Sequence, residues 1–216
     1  MKKYYPVMLN IEGRKCTVVG GGAVALRKIK NLLNYGAQVK VVSPKILTEI
    51  ENMAGEGRIT LKKRPYQDGD LDENFLVYVA TDDYAVNQRC YIEAQRVGAI
   101  LNVVDIPKFC DFLVPAIHRE GNLTVAISTD GKSPMLAKKI KEQLKQHYGP
   151  EYGDILSILG EIRKKALLEI QEIDKRKALF FHLVYGITFE GDKIEYEKEM
   201  WNSYNFFKEK CITKNK

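Results

Sequence analysis

The segment Thr17-Val18-Val19-Gly20-Gly21-Gly22-Ala23-Val24-Ala25 constrains this chain more than any other stretch. An apolar run ends in glycines, and a helix-forming segment follows at once. Read as G-x-G-x-x-A, the motif uses Gly20 and Gly22, with Ala25 at the third small position. Gly20 lets the chain turn sharply off a strand. Gly22 carries no side chain that would hold a pyrophosphate away from the backbone. Ala25 lets the following helix pack closely on the sheet. The helix start then offers free N–H groups and a positive dipole end to phosphates. A glycine triplet alone also marks an ordinary turn; here the apolar strand before it and the helix pattern after it favour a nucleotide.

The surrounding pattern supports that setting. Strands are expected at Lys15–Val19, Gln38–Val42, 58–62, 75–80 and 100–104, and helices at 23–35, 44–54 and Tyr84–Val97, the last stopped by Gly98. Strands alternating with helices imply a parallel sheet covered on both faces, a Rossmann-type α/β fold. Ligands of such sheets bind beyond the carboxyl ends of the strands. Three ends matter: Gly20–Gly22, Ala80-Thr81-Asp82-Asp83 and Asn102-Val103-Val104-Asp105. After Asp105 the pattern changes. Residues 112–119 and 123–128 flank Glu120-Gly121-Asn122 as a β-hairpin, and Ser133-Pro134 caps a helix running to about His147. Beyond Glu151 the chain is helical in pattern; the last thirty or so residues take no assignment. The expected organisation is 1–111 for the dinucleotide, 112–147 as a hairpin and helix segment, and 148–216 as a helical region.

Composition narrows the class. Residues 1–150 hold 22 Lys and Arg against 16 Asp and Glu, whereas residues 151–216 hold 12 of each, so the excess lies in the nucleotide-binding part. Such an excess suits an anionic ligand, although ordinary solubility also accounts for it. The neutral balance of the C-terminal part argues against nucleic-acid binding there. No apolar stretch approaches the roughly 20 residues of a membrane span. Met1–Pro6 has two basic residues but no long apolar run, so no signal peptide is expected. Cys16, Cys90, Cys110 and Cys211 show no metal-ligand spacing and read as reduced thiols of a cytoplasmic protein.

Several residues carry candidate chemistry. The second strand ends Val42-Ser43-Pro44-Lys45 without the acid that usually holds the ribose, so Ser43 or backbone groups would contact it instead. Asp105 lies just past an apolar strand; its spacing fits a general base and a turn residue equally. His118 sits alone in the hairpin, where a histidine more often packs or hydrogen-bonds than transfers protons. Lys132, Lys138, Lys139, Lys141 and Lys145 form either a solvated face or an anion-binding rim, with an anion nest from the N–H groups of 129–133.

Together these stretches resemble a known family. The markers are Tyr5-Pro6-Val7; Val18-Val19-Gly20-Gly21-Gly22-x-Val24-Ala25-x-Arg27-Lys28; Ala80-Thr81-Asp82-Asp83-x-x-Val86-Asn87; Asn102-Val103-Val104-Asp105; and Ile127-Ser128-Thr129-x-Gly131-x-Ser133-Pro134-x-Leu136-Ala137. The chain resembles the precorrin-2 dehydrogenase/sirohydrochlorin ferrochelatase family, the corresponding part of siroheme synthase, in a stand-alone form. The resemblance covers residues 1–150 closely and continues more loosely to about 185; the segment after Gly186 falls outside it. It implies NAD-dependent oxidation of precorrin-2 to sirohydrochlorin, with Fe2+ insertion in some members. It implies Asp105 as the principal catalytic residue, with His118 a lesser candidate. It implies cofactor contacts at Ala23, Val24, Pro44 and Lys45 and a polar tetrapyrrole site at Ser128 and Thr129; beside these, Gly20, Gly22, Ser43, Thr81, Asp82 and Asn102 are the cofactor candidates from the strand ends, and Ser133 a further tetrapyrrole candidate. It further implies a homodimer that exchanges the segment after the sheet. No resident metal is expected. A different class of function, an NAD-sensing regulatory module without catalysis, would make Asp105 a turn residue only.

Overall fold

The computed structural model describes residues 3–187, 189 and 193–212. By its contacts the chain divides into two units, Met1–Val114 and Pro115–Lys216. The first holds β1 (Lys15–Val19), α1 (Ala23–Asn34), β2 (Gln38–Val42), α2 (Thr48–Gly55), β3 (Thr60–Lys62), β4 (Leu76–Val79), α3 (Tyr84–Val97) and β5 (Ile100–Val103), then a 3-10 turn at Pro107–Phe109. The five strands form one parallel sheet in the order β3-β2-β1-β4-β5.

Side chains alternate across a strand, and here both faces are buried. Val18, Val39, Val41, Leu76 and Tyr78 join Ala25, Ile29 and Leu32 of α1 and Ile50 and Met53 of α2 in one core. Val19, Val42, Val77, Val79, Leu101 and Val103 join Cys90 and Ala94 of α3 in the other. This is the Rossmann-type α/β architecture read from the strand and helix pattern. The α3 boundaries also follow from residue chemistry. Asp83 caps its start by accepting from the N–H groups of Ala85 and Val86, and Gly98 ends it at φ 71°.

One expected element is shorter than its pattern. The helix expected from Pro44 begins at Thr48. Residues 43–47 are held otherwise: the Ser43 hydroxyl donates to the Lys45 carbonyl at 2.6 Å, and the Leu47 N–H donates to the Gly21 carbonyl at 3.0 Å. Contacts to the glycine turn outweigh the local helix preference.

The segment 63–75 crosses back to β4 over a buried polar network. The Asp70 carboxylate, 2% exposed, accepts from Lys62, Arg64 and the Gln67 N–H. Burial alone would raise its pKa; the Arg64 and Lys62 partners hold it well below the usual carboxylate range. Glu93 of α3 accepts from the Tyr66 hydroxyl and from the N–H groups of Gly69 and Leu71.

The second unit starts with the hairpin β6 (Ala116–Glu120) and β7 (Leu123–Ile127), antiparallel and two-stranded. The register places Leu123, Val125 and Ile127 opposite Glu120, His118 and Ala116, so Ile117 faces the other side of the hairpin from these three. There follow α4 (Pro134–His147), α5 (Glu151–Glu169), α6 (Ile173–Tyr185) and α7 (Lys193–Ile212). Ile155, Ile158, Ile162, Leu179, Leu183 and Met200 of α5, α6 and α7 share one core. The unassigned last thirty residues thus include a helix whose Tyr196, Met200 and Tyr204 are buried.

Candidate functional site

The carboxyl ends of β2, β1, β4 and β5 are laced by hydrogen bonds from the residue that leaves each strand. Gly20 N–H donates to the Val42 carbonyl at 3.0 Å, Ala80 N–H to the Val19 carbonyl at 2.8 Å, and Val104 N–H to the Val79 carbonyl at 2.9 Å. This brings the glycine turn, Ser43–Lys45, Thr81–Asp82 and Asp105 to one edge of the sheet.

The three glycines do different work. Gly20 sits at φ 129°, and a Cβ there would stand 2.2 Å from the Ala80 carbonyl oxygen. Gly21 has no such dihedral demand, but its Cβ would stand 2.1 Å from the Lys45 carbonyl oxygen. Gly22 meets nothing within 4 Å. It is the N-cap of α1, with no side-chain cap and no acid in the first turn. The first N–H groups of α1 therefore face open space with their dipole end uncompensated, an arrangement that attracts phosphate. Ala23 and Val24 form that exposed first turn, and Ala25 is fully buried. The G-x-G-x-x-A reading treats Gly21 as free to vary; the structure gives it the tightest backbone approach of the three. No local pattern carries that, because the crowding atoms belong to the turn after β2.

Around this turn, Pro44 and Lys45 are exposed, while Ser43 is buried with its hydroxyl donated within its own turn. Thr81 Oγ1 accepts from the Asp83 N–H at 3.1 Å, and Asp82 is exposed. Asn102 is buried and donates its amide to the Phe112 carbonyl at 2.9 Å, tying down the chain as it leaves the sheet. Asn87, quoted above only as a family marker, donates to the Thr81 carbonyl at 3.1 Å; its Oδ1 is buried with no partner. A water or a ligand group is needed to satisfy it.

Asp105 follows β5 at φ 59°, a conformation in which a non-glycine residue is strained. Its carboxylate is exposed and makes no hydrogen bond or ion pair among the described residues. It caps nothing: the 3-10 turn beyond it has no side-chain cap. Its surroundings hold the strain in place. Ile106 N–H closes back on the Val103 carbonyl, buried Cys110 bonds both backbone groups of Val103, and Phe109 stacks on Tyr91 at 4.7 Å.

The remaining candidates lie in the second unit. His118 is buried in β6, its Nε2 2.6 Å from the Tyr148 carbonyl. Ser128 Oγ accepts from Asp130 N–H, Thr129 Oγ1 from Ser133 N–H, and Ser133 Oγ from Leu136 N–H. With Lys132 N–H donating to the Thr129 carbonyl, three donors of the expected anion nest are spent inside the loop. That expectation is corrected: the loop's own hydroxyls and carbonyl outcompete an anion for these N–H groups. Lys132, Lys138, Lys139 and Lys145 are exposed.

Two other features bear on the chemistry. Among the described residues no group of three His, Cys, Asp or Glu side chains converges as a metal site, and no helix is long and apolar enough to cross a membrane. A cavity of about 550 Å³ opens at the opposite, amino edge of the sheet, beside Lys15, Lys40, Asp72 and Glu73. Lys15 pairs there with Glu73, and Asp72 with Arg96. It lies away from the glycine turn.

An open phosphate-binding turn at the carboxyl edge of a parallel sheet, with a strained carboxylate two strands away, defines a Rossmann-type dinucleotide-binding protein. Comparison with known proteins narrows this. Residues 7–116 match the family described as putative NAD(P)-binding, and residues 120–147 match the family described as sirohaem biosynthesis protein central. A solved structure, SirC, precorrin-2 dehydrogenase, superposes with a TM-score of 0.81 at 31% identity, covering 94% of this chain and 99% of that one. The chain belongs to the precorrin-2 dehydrogenase family. Siroheme synthases of Nitrosococcus oceani and Nitrosospira multiformis are 35% and 34% identical to it, each over 85% of this chain. The chain spans only 39% and 40% of their lengths. Coverage of 94% by SirC also carries the likeness into the segment after Gly186, which the sequence motifs had left outside the family.

Proposed function

We propose that this chain oxidises precorrin-2 to sirohydrochlorin with NAD as hydride acceptor, in siroheme biosynthesis. The observation that carries this reading is Asp105: a strained, unpartnered carboxylate on the edge that carries the open glycine turn, in a chain that matches a precorrin-2 dehydrogenase nearly end to end.

The residues fit a dinucleotide. The Cβ position of Gly22 is open, α1 starts without a cap or an acid, and Gly20 and Gly21 close the turn against Ala80 and Lys45. Gly20, Gly22, Ala23 and Val24 would hold the pyrophosphate, Ser43, Pro44 and Lys45 the adenosine end, and Thr81, Asp82 and Asn102 the nicotinamide end. Bound NAD supplies the acceptor for two electrons and one hydrogen nucleus. The protein's share is the second proton. Asp105, free of competing partners among the described residues, accepts the proton that leaves the macrocycle as the ring-bridging carbon loses hydride. Its backbone is fixed by the closure at Cys110 and Phe109, and no partner among the described residues competes for the proton. The basic excess of residues 1–150 lowers the cost of gathering a polycarboxylate there. Ser128, Thr129 and Ser133 supply polar contacts to the tetrapyrrole, with His118 in a supporting place.

The same reading makes residues 1–111 the cofactor domain, 112–147 the dimerisation segment and 148–216 a helical domain of a homodimer. A two-stranded hairpin is marginal on its own, and Leu123, Val125 and Ile127 are only partly covered. A second copy would bury them. Cys16 and Cys90 are free and buried, and Cys110 is a buried thiol, which suits a reducing, cytoplasmic compartment. The test is anaerobic incubation with precorrin-2 and NAD+, followed spectrally with and without Fe2+. Sirohydrochlorin should form only with NAD+; siroheme would add chelation with Fe2+ as cargo. No sirohydrochlorin in either arm would overturn the reading, and sedimentation as a monomer at micromolar concentration would overturn the dimer.

A further inference from the structure

Helix α1 carries three cations in four residues, and they are treated unequally. Lys30 pairs with Glu49 of α2 at 2.6 Å. Arg27 and Lys28 form no ion pair among the described residues. Arg27 is exposed, but Lys28 is half-buried, with its ammonium 4.7 Å from the centroid of the Tyr78 ring. A lysine ammonium ordinarily reaches water or a carboxylate. Here an aromatic face receives it, which compensates only part of the lost hydration. Burial, and then the neighbouring Arg27 charge, push the Lys28 pKa below its ordinary value. An arriving anion would relieve both effects.

The place of this ammonium is informative. Tyr78 is the penultimate residue of β4 and stands in register with Asn102, the penultimate residue of β5. Phe112 packs edge-on against Tyr78 at 5.6 Å, and its carbonyl holds the Asn102 amide. Helical side chains lean toward the helix start, so Lys28 leans toward the carboxyl edge. Asp105 lies three residues beyond Asn102 on that edge. Lys28 is the sixth residue of α1, a full turn past the N–H groups that face the pyrophosphate.

We propose that Lys28 anchors a peripheral carboxylate of the tetrapyrrole, on the face of the sheet that carries Tyr78 and Asn102. This rests on the dehydrogenase reading above. Lys28 is a binding residue that fixes how the macrocycle lies relative to Asp105; it moves no proton itself.

The test compares Lys28→Met, Lys28→Arg and the control Lys30→Met. Steady-state kinetics with precorrin-2 are read alongside calorimetric NAD+ affinity and a direct fluorescence titration with sirohydrochlorin. Lys28→Met should raise KM for precorrin-2 and the Kd for sirohydrochlorin by about tenfold, the scale of one charge-assisted hydrogen bond. Its kcat and NAD+ affinity should stay within about twofold, the pattern of lost uniform binding. Lys28→Arg should recover most of the affinity, and Lys30→Met should match the parent. Unchanged tetrapyrrole affinity in folded Lys28→Met would overturn the proposal. So would a loss confined to NAD+, which would assign Lys28 to a cofactor phosphate. If Lys28→Met does not fold, Lys28→Gln decides by the same readings. A parent that binds sirohydrochlorin without oxidising precorrin-2 refutes the dehydrogenase reading while the titration still reads the anchor; a parent that binds no tetrapyrrole overturns both.

Discussion

Gly20 and Ala80 meet across the carboxyl ends of β1 and β4 so closely that a Cβ on Gly20 would stand 2.2 Å from the Ala80 carbonyl oxygen. With φ at 129°, Gly20 cannot be exchanged without moving β4. Gly20→Ala should cost more than about 2 kcal/mol of stability, combining backbone strain with overpacking. A urea melt within error of the parent would contradict this.

Gly22 should separate folding from binding. Its backbone is extended (φ −86°, ψ −171°) and its Cβ position is open. Gly22→Asp supplies the N-cap that α1 lacks, so the fold should gain about a few tenths of a kcal/mol. The same carboxylate would repel the pyrophosphate, so NAD+ affinity should fall by about tenfold or more. Calorimetry and thermal melting on one variant read both effects. Unchanged NAD+ affinity would move the cofactor away from this turn.

Asp105 should show the reverse trade. Asp105→Asn keeps a residue that tolerates φ 59° and removes the negative charge. It should fold like the parent and lose turnover by on the order of 100-fold, the usual scale for a positioned acid or base. NAD+ binding should be nearly intact. Asp105→Gly, freed of the strain, should be at least as stable as the parent and equally inactive. Turnover within a few-fold of the parent in both would make Asp105 a turn residue.

His118 should act on stability first. Its ring is buried against the Tyr148 carbonyl at 2.6 Å. His118→Leu leaves that carbonyl without its partner and should cost about 1–3 kcal/mol. Its turnover, measured below the melting point, should fall less than that of Asp105→Asn. A larger fall would give His118 a direct part in proton transfer.

The Asp70 network gives a pH signature. Asp70 is held well below the usual carboxylate range in the folded chain, against roughly 3.9 when unfolded. A depressed pKa stabilises the fold above the unfolded value and loses that contribution as pH falls through the folded one. Asp70→Asn should therefore cost about 1–3 kcal/mol at pH 7, discounted for the part-exposed Lys62 and Arg64. The gap to the parent should shrink steadily below about pH 4. A gap independent of pH would locate the cost in packing.

What the sequence determined by itself is local. The periods of the apolar residues set β1, α1, β2 and α3, and the Asp83 cap and Gly98 stop set α3 to the residue, because these signals act within one or two turns. Gly20, Gly22 and Ala25 announced a phosphate turn for the same reason. Tertiary structure alone decided what lies between elements. Thr48, and not Pro44, starts α2 because Leu47 is drawn to the Gly21 carbonyl. Gly21 is constrained by Lys45 and Ile46, twenty-four and twenty-five residues away in sequence. The hydroxyls of Ser128, Thr129 and Ser133 close their own loop, which the pattern of a nest did not reveal. The last helix buries Tyr196, Met200 and Tyr204 at helical spacing, but its exposed Ile194 and Phe206 blur that period in the sequence. Asp105 lay open between two roles in the sequence. Its positive φ and unpaired carboxylate exist only once Cys110 and Phe109 have closed the chain beneath it, and no spacing of residues encodes that closure.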